Sequence, residues 1–180
     1  MKKPSVNSSE FITIIGRAGA GVPVQKIEAI LEFCPQTTAE KIFDKAMQEG
    51  KLIKTLVDKD KIRSIVILES GEVHPSTFHY TTLRDRVVPH IPLFTTIGCD
   101  LGGINGDKIN LMIDYRYENI DDVVQELAQT KNIIPLYTED NRTKTLLVMD
   151  TGSIYPSTFN YPTIDKRIRE IKKRKEDSLK

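Results

Sequence analysis

VHPSTFHYTTLRDRV, residues 73–87, is spelled again near the other end of the chain as IYPSTFNYPTIDKRI, residues 154–168. The two phrases stand 81 residues apart. A fixed internal period of this size is the mark of a folded unit that occurs more than once. Aligned from Gly71 and Gly152, eight of eighteen positions are identical: Gly71, Pro75, Ser76, Thr77, Phe78, Tyr80, Thr82 and Arg86 recur at the same offset. The likeness continues upstream. KIRSIVILES (61–70) lies on RTKTLLVMDT (142–151), and GKLIKTLVD (50–58) lies on KNIIPLYTE (131–139). With one residue of slippage, IGRAGAGVPVQKI (15–27) lies on IGCDLGGINGDKI (97–109). The chain therefore reads as a flexible arm (1–9), a first unit (10–88), a stiff proline-bounded linker (89–91), a second unit (92–170) and a basic tail (171–180).

Elements can be read within one unit and checked against the other. FITIIG (11–16) is apolar and β-branched and closes on glycine, which predicts a strand. VQKIEAILEF (24–33) is open to either strand or helix on its own spacing. Its counterpart KINLMIDY (108–115) alternates Ile109, Leu111 and Ile113, which favours a strand in both places. TTAEKIFDKAMQEG (37–50) predicts a helix. Thr37 with Glu40 forms a capping box, Ala39, Ile42, Phe43, Ala46 and Met47 keep helical spacing, and Gly50 stops the run. Asn119 and Asp122 take the cap positions in the second unit. KLIKTLVD (51–58) and IRSIVILE (62–69) read as two further strands around the polar turn KDK (59–61). Pro75 is expected to break the chain's extended run, because proline removes a ladder donor, and TTLRDRV (81–87) opens another helix. The expected fold class is α+β, two tandem repeats of a small β-β-α-β-β-(β)-α unit.

The totals exclude several classes. The chain has 180 residues, 39% hydrophobic and 28% charged, the composition of a soluble globular protein. No apolar run approaches a membrane span, so no membrane partner is expected. MKKPSVNSSEF (1–11) has no apolar stretch after its lysines and does not read as a signal peptide. Cys34 and Cys99 make no disulfide framework and no metal-ligand spacing, which fits a cytoplasmic protein with reduced thiols. Net charge is +1, but Lys166 to Lys180 carries eight basic and three acidic residues. That stretch is either a solvated helix end or a surface for nucleic acid.

Candidate chemistry thins out when the two units are compared. Three histidines, His74, His79 and His90, invite a metal reading, but His74 and His79 become Tyr155 and Asn160 in the second unit. A metal needs three or four convergent ligands, so none is expected. GRAGAG (16–21) lacks the Gly-Lys-Ser/Thr ending of a phosphate loop and reads as a tight connection between strands. No nucleophile–base set survives the comparison, so no catalytic residue, cofactor or enzymatic activity is expected. The PSTF phrase itself reads as structural: a proline at a strand end, hydroxyls for free backbone groups, and Phe78, Phe159, Tyr80 and Tyr161 buried against the unit. Basic residues do recur in register. Lys26 matches Lys108, Lys61 matches Arg142, Arg63 matches Lys144, and Arg86 matches Arg167. Cations repeated on turns are what contact with a phosphate backbone requires, although solvated turn lysines are common.

Each unit resembles the bacterial RemA family of DNA-binding regulators of extracellular-matrix genes. In that family an I-N-I-G strand leads through a glycine-containing loop to an arginine before the second strand. An R-G-M-L-I-D segment, a basic R-R-T-R turn, an A-V-V-V-M-D-S strand and an S-A-V-Q-P-E-T stretch come after it. Here the matching stretches are ITIIG and TTIG, Lys26 and Lys108, EGKLIKTLVD, KIRSIVILES and RTKTLLVMDTG. The resemblance covers nearly all of both units. It implies a cytoplasmic, non-enzymatic transcription regulator that forms a ring-like homo-oligomer and contacts duplex DNA from the rim. Carried over by position, the arginine before strand two falls on Lys26 and Lys108. The second arginine of the basic turn falls on Lys61 and Arg142. The first falls on Asp60 and Asn141, a departure that puts an acceptor where phosphate would sit. The expected DNA-binding residues are Lys26, Lys61, Arg63, Lys108, Arg142 and Lys144. The alternative is a non-enzymatic oligomeric scaffold, or protein-interaction module, that has lost DNA binding.

Overall fold

A computed structural model of the chain describes residues 10–15, 20–34, 38–50, 58–91, 94–98, 102–114, 122 and 144–180. Among these, three α-helices and ten strands in three sheets make an α+β fold, the class expected from the sequence. The first half runs β1 (Phe11–Ile15), β2 (Ala20–Pro23), a 3-10 turn (Val24–Lys26), β3 (Ile27–Glu32), α1 (Thr38–Gln48), a second 3-10 turn (Lys59–Lys61), β4 (Ser64–Leu68), β5 (Val73–Ser76) and α2 (Tyr80–Val87). The second half runs β6 (Phe94–Gly98), β7 (Gly102–Asn105), a 3-10 turn (Gly106–Lys108), β8 (Ile109–Asp114), β9 (Thr145–Met149), β10 (Ile154–Ser157) and α3 (Tyr161–Ser178).

The strand sequences SIVIL and IEAIL are apolar on both faces because the sheet is covered on both sides. Alternate residues point to opposite faces of a strand. Ala29, Leu31, Ile65 and Ile67 join Ile42, Phe43 and Ala46 of α1 in one core. Ile27, Ile30, Val66 and Leu68 join Ile12, Ile14, Val22 and the α2 residues Tyr80, Leu83 and Val87 in another. The first core does not stop at the half. Leu147, Met149, Tyr155 and the α3 residues Ile164 and Ile168 belong to it as well. Helix α1 carries its apolar stripe against this core, with Phe43 edge-on to Phe33 at 5.5 Å. Gly50, at φ 71°, follows its end in the left-handed conformation that favours glycine.

The sheets cross the boundary between the halves. Strand order in the five-stranded sheet is β5-β4-β3-β7-β6, so β3 pairs with β4 of its own half and with β7 of the other. All its pairings are antiparallel, with Ala29 opposite Ile104, Ile30 opposite Gly103 and Leu31 opposite Gly102. Gly102 adopts φ +123°, and a Cβ there would lie 2.0 Å from the Ile30 carbonyl oxygen. That position is open to glycine alone. Strands β8, β9 and β10 form a separate sheet in the order β10-β9-β8, and β1 pairs with β2 as a hairpin.

The twice-spelled phrase is a clasp. Ser76 Oγ donates to the Ile14 carbonyl at 2.6 Å and accepts from the Phe78 amide at 3.1 Å. Ser157 Oγ donates to the Ile97 carbonyl at 2.8 Å and accepts from the Phe159 amide at 3.1 Å. Ser64 Oγ donates to the Phe78 carbonyl at 2.7 Å, as Thr145 Oγ1 does to that of Phe159 at 2.8 Å. The guanidinium of Arg86 lies 4.2 Å from the Phe78 ring centre, and that of Arg167 lies 4.2 Å from Phe159. In each half the phrase thus ties the last strand to the first, which closes the local chain.

Three details differ from the sequence reading. Strands continue through Pro75 and Pro156 instead of ending there. Both lie on strands at the outer edge of their sheets, where a missing donor costs no ladder bond. The glycine-rich connection holds a strand of its own, β2, and so does its counterpart, β7. Tyr80 is buried as expected, whereas Tyr161 is exposed. The segments 51–57 and 131–139, read from sequence as strands, lie outside the described residues, as do the cap residues Thr37 and Asn119.

Removing the clasp hydroxyl takes the side-chain acceptor from the Phe78 or Phe159 amide and leaves the Ile14 or Ile97 carbonyl with one donor, the amide of Thr77 or Thr158. Ser76→Ala and Ser157→Ala should each lower unfolding free energy by about 2 kcal/mol in urea denaturation. A Thr77→Ala control, whose hydroxyl takes no part in these bonds, should stay within about 0.5 kcal/mol of wild type.

Candidate nucleic-acid interface and the junction between halves

The five candidate cations among the described residues sit at two places in each half. Lys26 ends the first 3-10 turn, is exposed, and its carbonyl accepts from the Glu69 amide at 2.9 Å. Lys108 ends the corresponding turn of the second half, and its carbonyl accepts from the Asp150 amide at 2.8 Å. Lys61 and Arg63 stand at the opposite end of β4, both exposed. The Arg63 amide donates to the Ser76 carbonyl at 2.8 Å, as the Lys144 amide does to that of Ser157 at 2.8 Å. Arg142 lies outside the described residues. Strand β4 separates the two places, and its five residues span roughly 17 Å. The structure therefore brings Lys61 and Arg63 together and leaves Lys26 a strand's length away.

The charges of these residues have different surroundings. Lys61 Nζ lies 3.3 Å from Asp58 Oδ2, with both side chains largely in water. Such a pair is weak and is exchanged readily for another anion. Arg63 Nη1 donates to the Asp60 carbonyl at 3.1 Å, which steadies the guanidinium beside the turn. Asp60 therefore meets Arg63 through its main chain. The ammonium of Lys108 is ion-paired with Glu69 of the first half. Helix α3 extends the second half to Ser178, so the basic residues from Lys166 to Lys175 ride on helix surface. Arg86 and Arg167, which also recur in register, are stacked on Phe78 and Phe159. Arg86 further donates to the Thr13 carbonyl at 2.8 Å, which makes it part of the clasp.

The histidines are each met by one carboxylate. His74 Nε2 lies 3.3 Å from Glu72, His79 Nδ1 lies 2.6 Å from Glu32, and His90 pairs with Glu10. Among the described residues no three His, Cys, Asp or Glu side chains converge as metal ligands would. Among the same residues, no helix is long and apolar enough to cross a membrane.

Sequence reasoning missed the polar group that joins the halves. Glu28 is buried in β3, amid the apolar run IEAIL. Its carboxylate accepts from Tyr155 Oη at 2.7 Å and from Thr151 Oγ1. Burial and the adjoining Glu28 carboxylate push the Tyr155 phenol well above its ordinary pKa. A buried carboxylate is costly unless it is hydrogen-bonded, so Tyr155 and Thr151 are what make Glu28 tolerable in the sheet. The sequence signal was the lone acid itself. Its counterpart Asn110 is exposed and uncharged, so comparing the two units diluted that signal.

Tyr155→Phe should therefore destabilise the chain by about 2 kcal/mol at neutral pH. A raised folded-state pKa gives stability that is present below pH 10 and lost as pH rises towards the folded value. Wild type should lose up to about 1.4 kcal/mol more per pH unit above pH 10 than Tyr155→Phe does. Urea titrations at stepped alkaline pH read this difference directly, and parallel slopes would contradict the assignment.

No curated protein and no solved structure matches the chain. Residues 13–87 match the model of the RemA-like family, described as extracellular matrix regulatory protein A-like. That span runs from within β1 to the end of α2, so the match takes in most of the first half and includes the clasp residues Ile14, Ser76 and Phe78. The first half of the chain is similar to that family, in agreement with the resemblance drawn from its motifs.

Proposed function

We propose that the chain is a tandem duplication of a RemA-like unit and acts as an oligomeric, non-enzymatic transcription regulator in the cytoplasm. It contacts the backbone of duplex DNA through its repeated loop cations. The reading rests on one observation above others: Arg63 and Lys144 are both exposed and held by the same amide-to-carbonyl bond of 2.8 Å, beside the same clasp. Cations held at equivalent points of two alike units can meet successive phosphates at a constant spacing. Lys61 extends this set, Arg142 stands two residues before Lys144 in the sequence, Lys26 and Lys108 lie further off, and the basic face of α3 adds attraction without specificity. Duplication is supported by the matched element order, the paired clasps and the shared bulge at the start of β3 and β8.

A second reading, an oligomeric scaffold that no longer binds nucleic acid, draws on Lys108. Its ion pair with Glu69 removes one of the six charges from what DNA would meet.

Two variants separate these readings. One changes all six cations to alanine. The other changes only Lys61, Arg63 and Lys144 and leaves the lysines beside the junction intact. In gel-shift titrations at low salt, wild type should bind duplexes of unrelated sequence and weaken steeply as salt rises. The triple variant should bind about tenfold more weakly, with a salt slope shallower by roughly 0.9 for each phosphate no longer neutralised. Equal affinity of wild type and the six-alanine variant would end the DNA reading and leave the scaffold.

A further inference from the structure

The junction inside the chain is half of a pattern whose other half is open. Strand β3 takes β7 along one edge, but β8, its counterpart, pairs only with β9 among the described residues. The hairpin β6–β7 is docked on β3, while β1–β2 forms a sheet by itself. Among the described residues, one half of the chain thus has a bare strand edge, and the other has an undocked hairpin.

We infer that β8 of one chain receives the β1–β2 hairpin of a second copy, head to tail, in the way that β3 receives β7 within the chain. This deepens the oligomeric part of the function proposed above and rests on the likeness of the two halves. Side-chain exposure follows the pattern. At the inner junction Ala29, Tyr80 and Phe94 are 0%, 5% and 6% exposed, with the two rings 6.4 Å apart. Their counterparts Leu111, Tyr161 and Phe11 are 50%, 40% and 65% exposed. Large apolar side chains so placed at both ends have a ready use: Tyr161 of one copy against Phe11 of the next. Room for the ring is provided as well. A Cβ on Gly103 would lie 2.5 Å from the Tyr80 hydroxyl oxygen, and the counterpart of Gly103 is again glycine, Gly21.

Charge obeys the same pattern. Lys108 and Glu69 close the inner junction. Their counterparts are Lys26 at the head and Asp150 at the tail, both exposed and neither in an ion pair among the described residues. The buried Glu28 is replaced at the tail by Asn110. The groups it would face, in place of Tyr155 and Thr151, are His74 and Ser70 of the next copy. An amide between an imidazole and a hydroxyl can be satisfied without burying a charge. The transferred register sets Leu111 opposite Val22 and Met112 opposite Gly21. It stops short of Ala20, because the Cβ of Ala20 stands where Gly102 needs none. A contact between two different surfaces propagates, and closes into a ring if the rotation per copy allows.

Light scattering coupled to size exclusion, on the full chain without DNA, tests the interface. Its outcome does not depend on whether DNA binds. Wild type should exceed the 20.4 kDa of one chain as concentration rises. Leu111→Glu should hold the mass at one chain, and its thermal melting should equal that of wild type at concentrations where wild type is a single chain, since Leu111 stands outside the core. Lys26→Glu and Asp150→Lys should each weaken assembly about tenfold, because like charges then meet. Mixed in equal amounts, the two reversals should regain it, as every junction between unlike copies is again oppositely charged. A wild type of single-chain mass at every concentration overturns the proposal. So does assembly that survives Leu111→Glu, or reversals that assemble as wild type does or fail to recover on mixing.

Discussion

A β-strand has two hydrogen-bonding edges, and a bare edge is a standing invitation to any other strand. In this chain β3 has both edges filled, one by its own half and one by the other. Much else depends on that double pairing. It places the two halves in one sheet, makes β3 central and hence apolar on both faces, and carries the first core through to α3. It also dictates glycine at position 102, where the incoming backbone passes too close to Ile30 for any side chain.

The double pairing explains where polar groups can be buried. Glu28 sits on a strand with no solvent at either edge, so its carboxylate depends on donors from across the junction. Tyr155 and Thr151 supply them. The same geometry draws Lys108 to Glu69. Two of the residues that resemblance would assign to DNA, Lys26 and Lys108, therefore lie beside inter-unit contacts. Lys61, Arg63 and Lys144 stand at the opposite end of the central strands and are exposed among the described residues.

Most of one unit was legible in the sequence because its signals are local. The apolar runs of β1 and β4, the helical spacing of α1 and the stop at Gly50 each lie within a dozen residues, whereas β3 read as a strand only beside its counterpart. The recurrence of PSTF showed that whatever the phrase does in one half it does in the other. Strands β2 and β7 were not legible. AGVP and GGIN show no alternation, and they are strands because a neighbour pairs with them. Pro75 misled for the same reason, since an edge position is a property of the sheet and not of the strand. The junction was beyond local reading altogether: Glu28 and Tyr155 are 127 residues apart, and neither makes sense without the other. Of the proposed interface, the recurrence of the cations was legible, but their division by the length of β4 was not.

The edge of β3 that β7 fills also sets a schedule for synthesis. When Glu32 leaves the ribosome, roughly 70 residues must still be added before β7 is complete. At ~5–20 residues per second that interval lasts several seconds. Throughout it the first half can fold locally, clasp and all, yet still displays an uncovered apolar strand with an acid in it. On a polysome, neighbouring nascent chains would present such strands side by side. Covering them until the second half arrives is a task suited to any chaperone that works at the ribosome, and slowing translation between the halves would prolong the exposure.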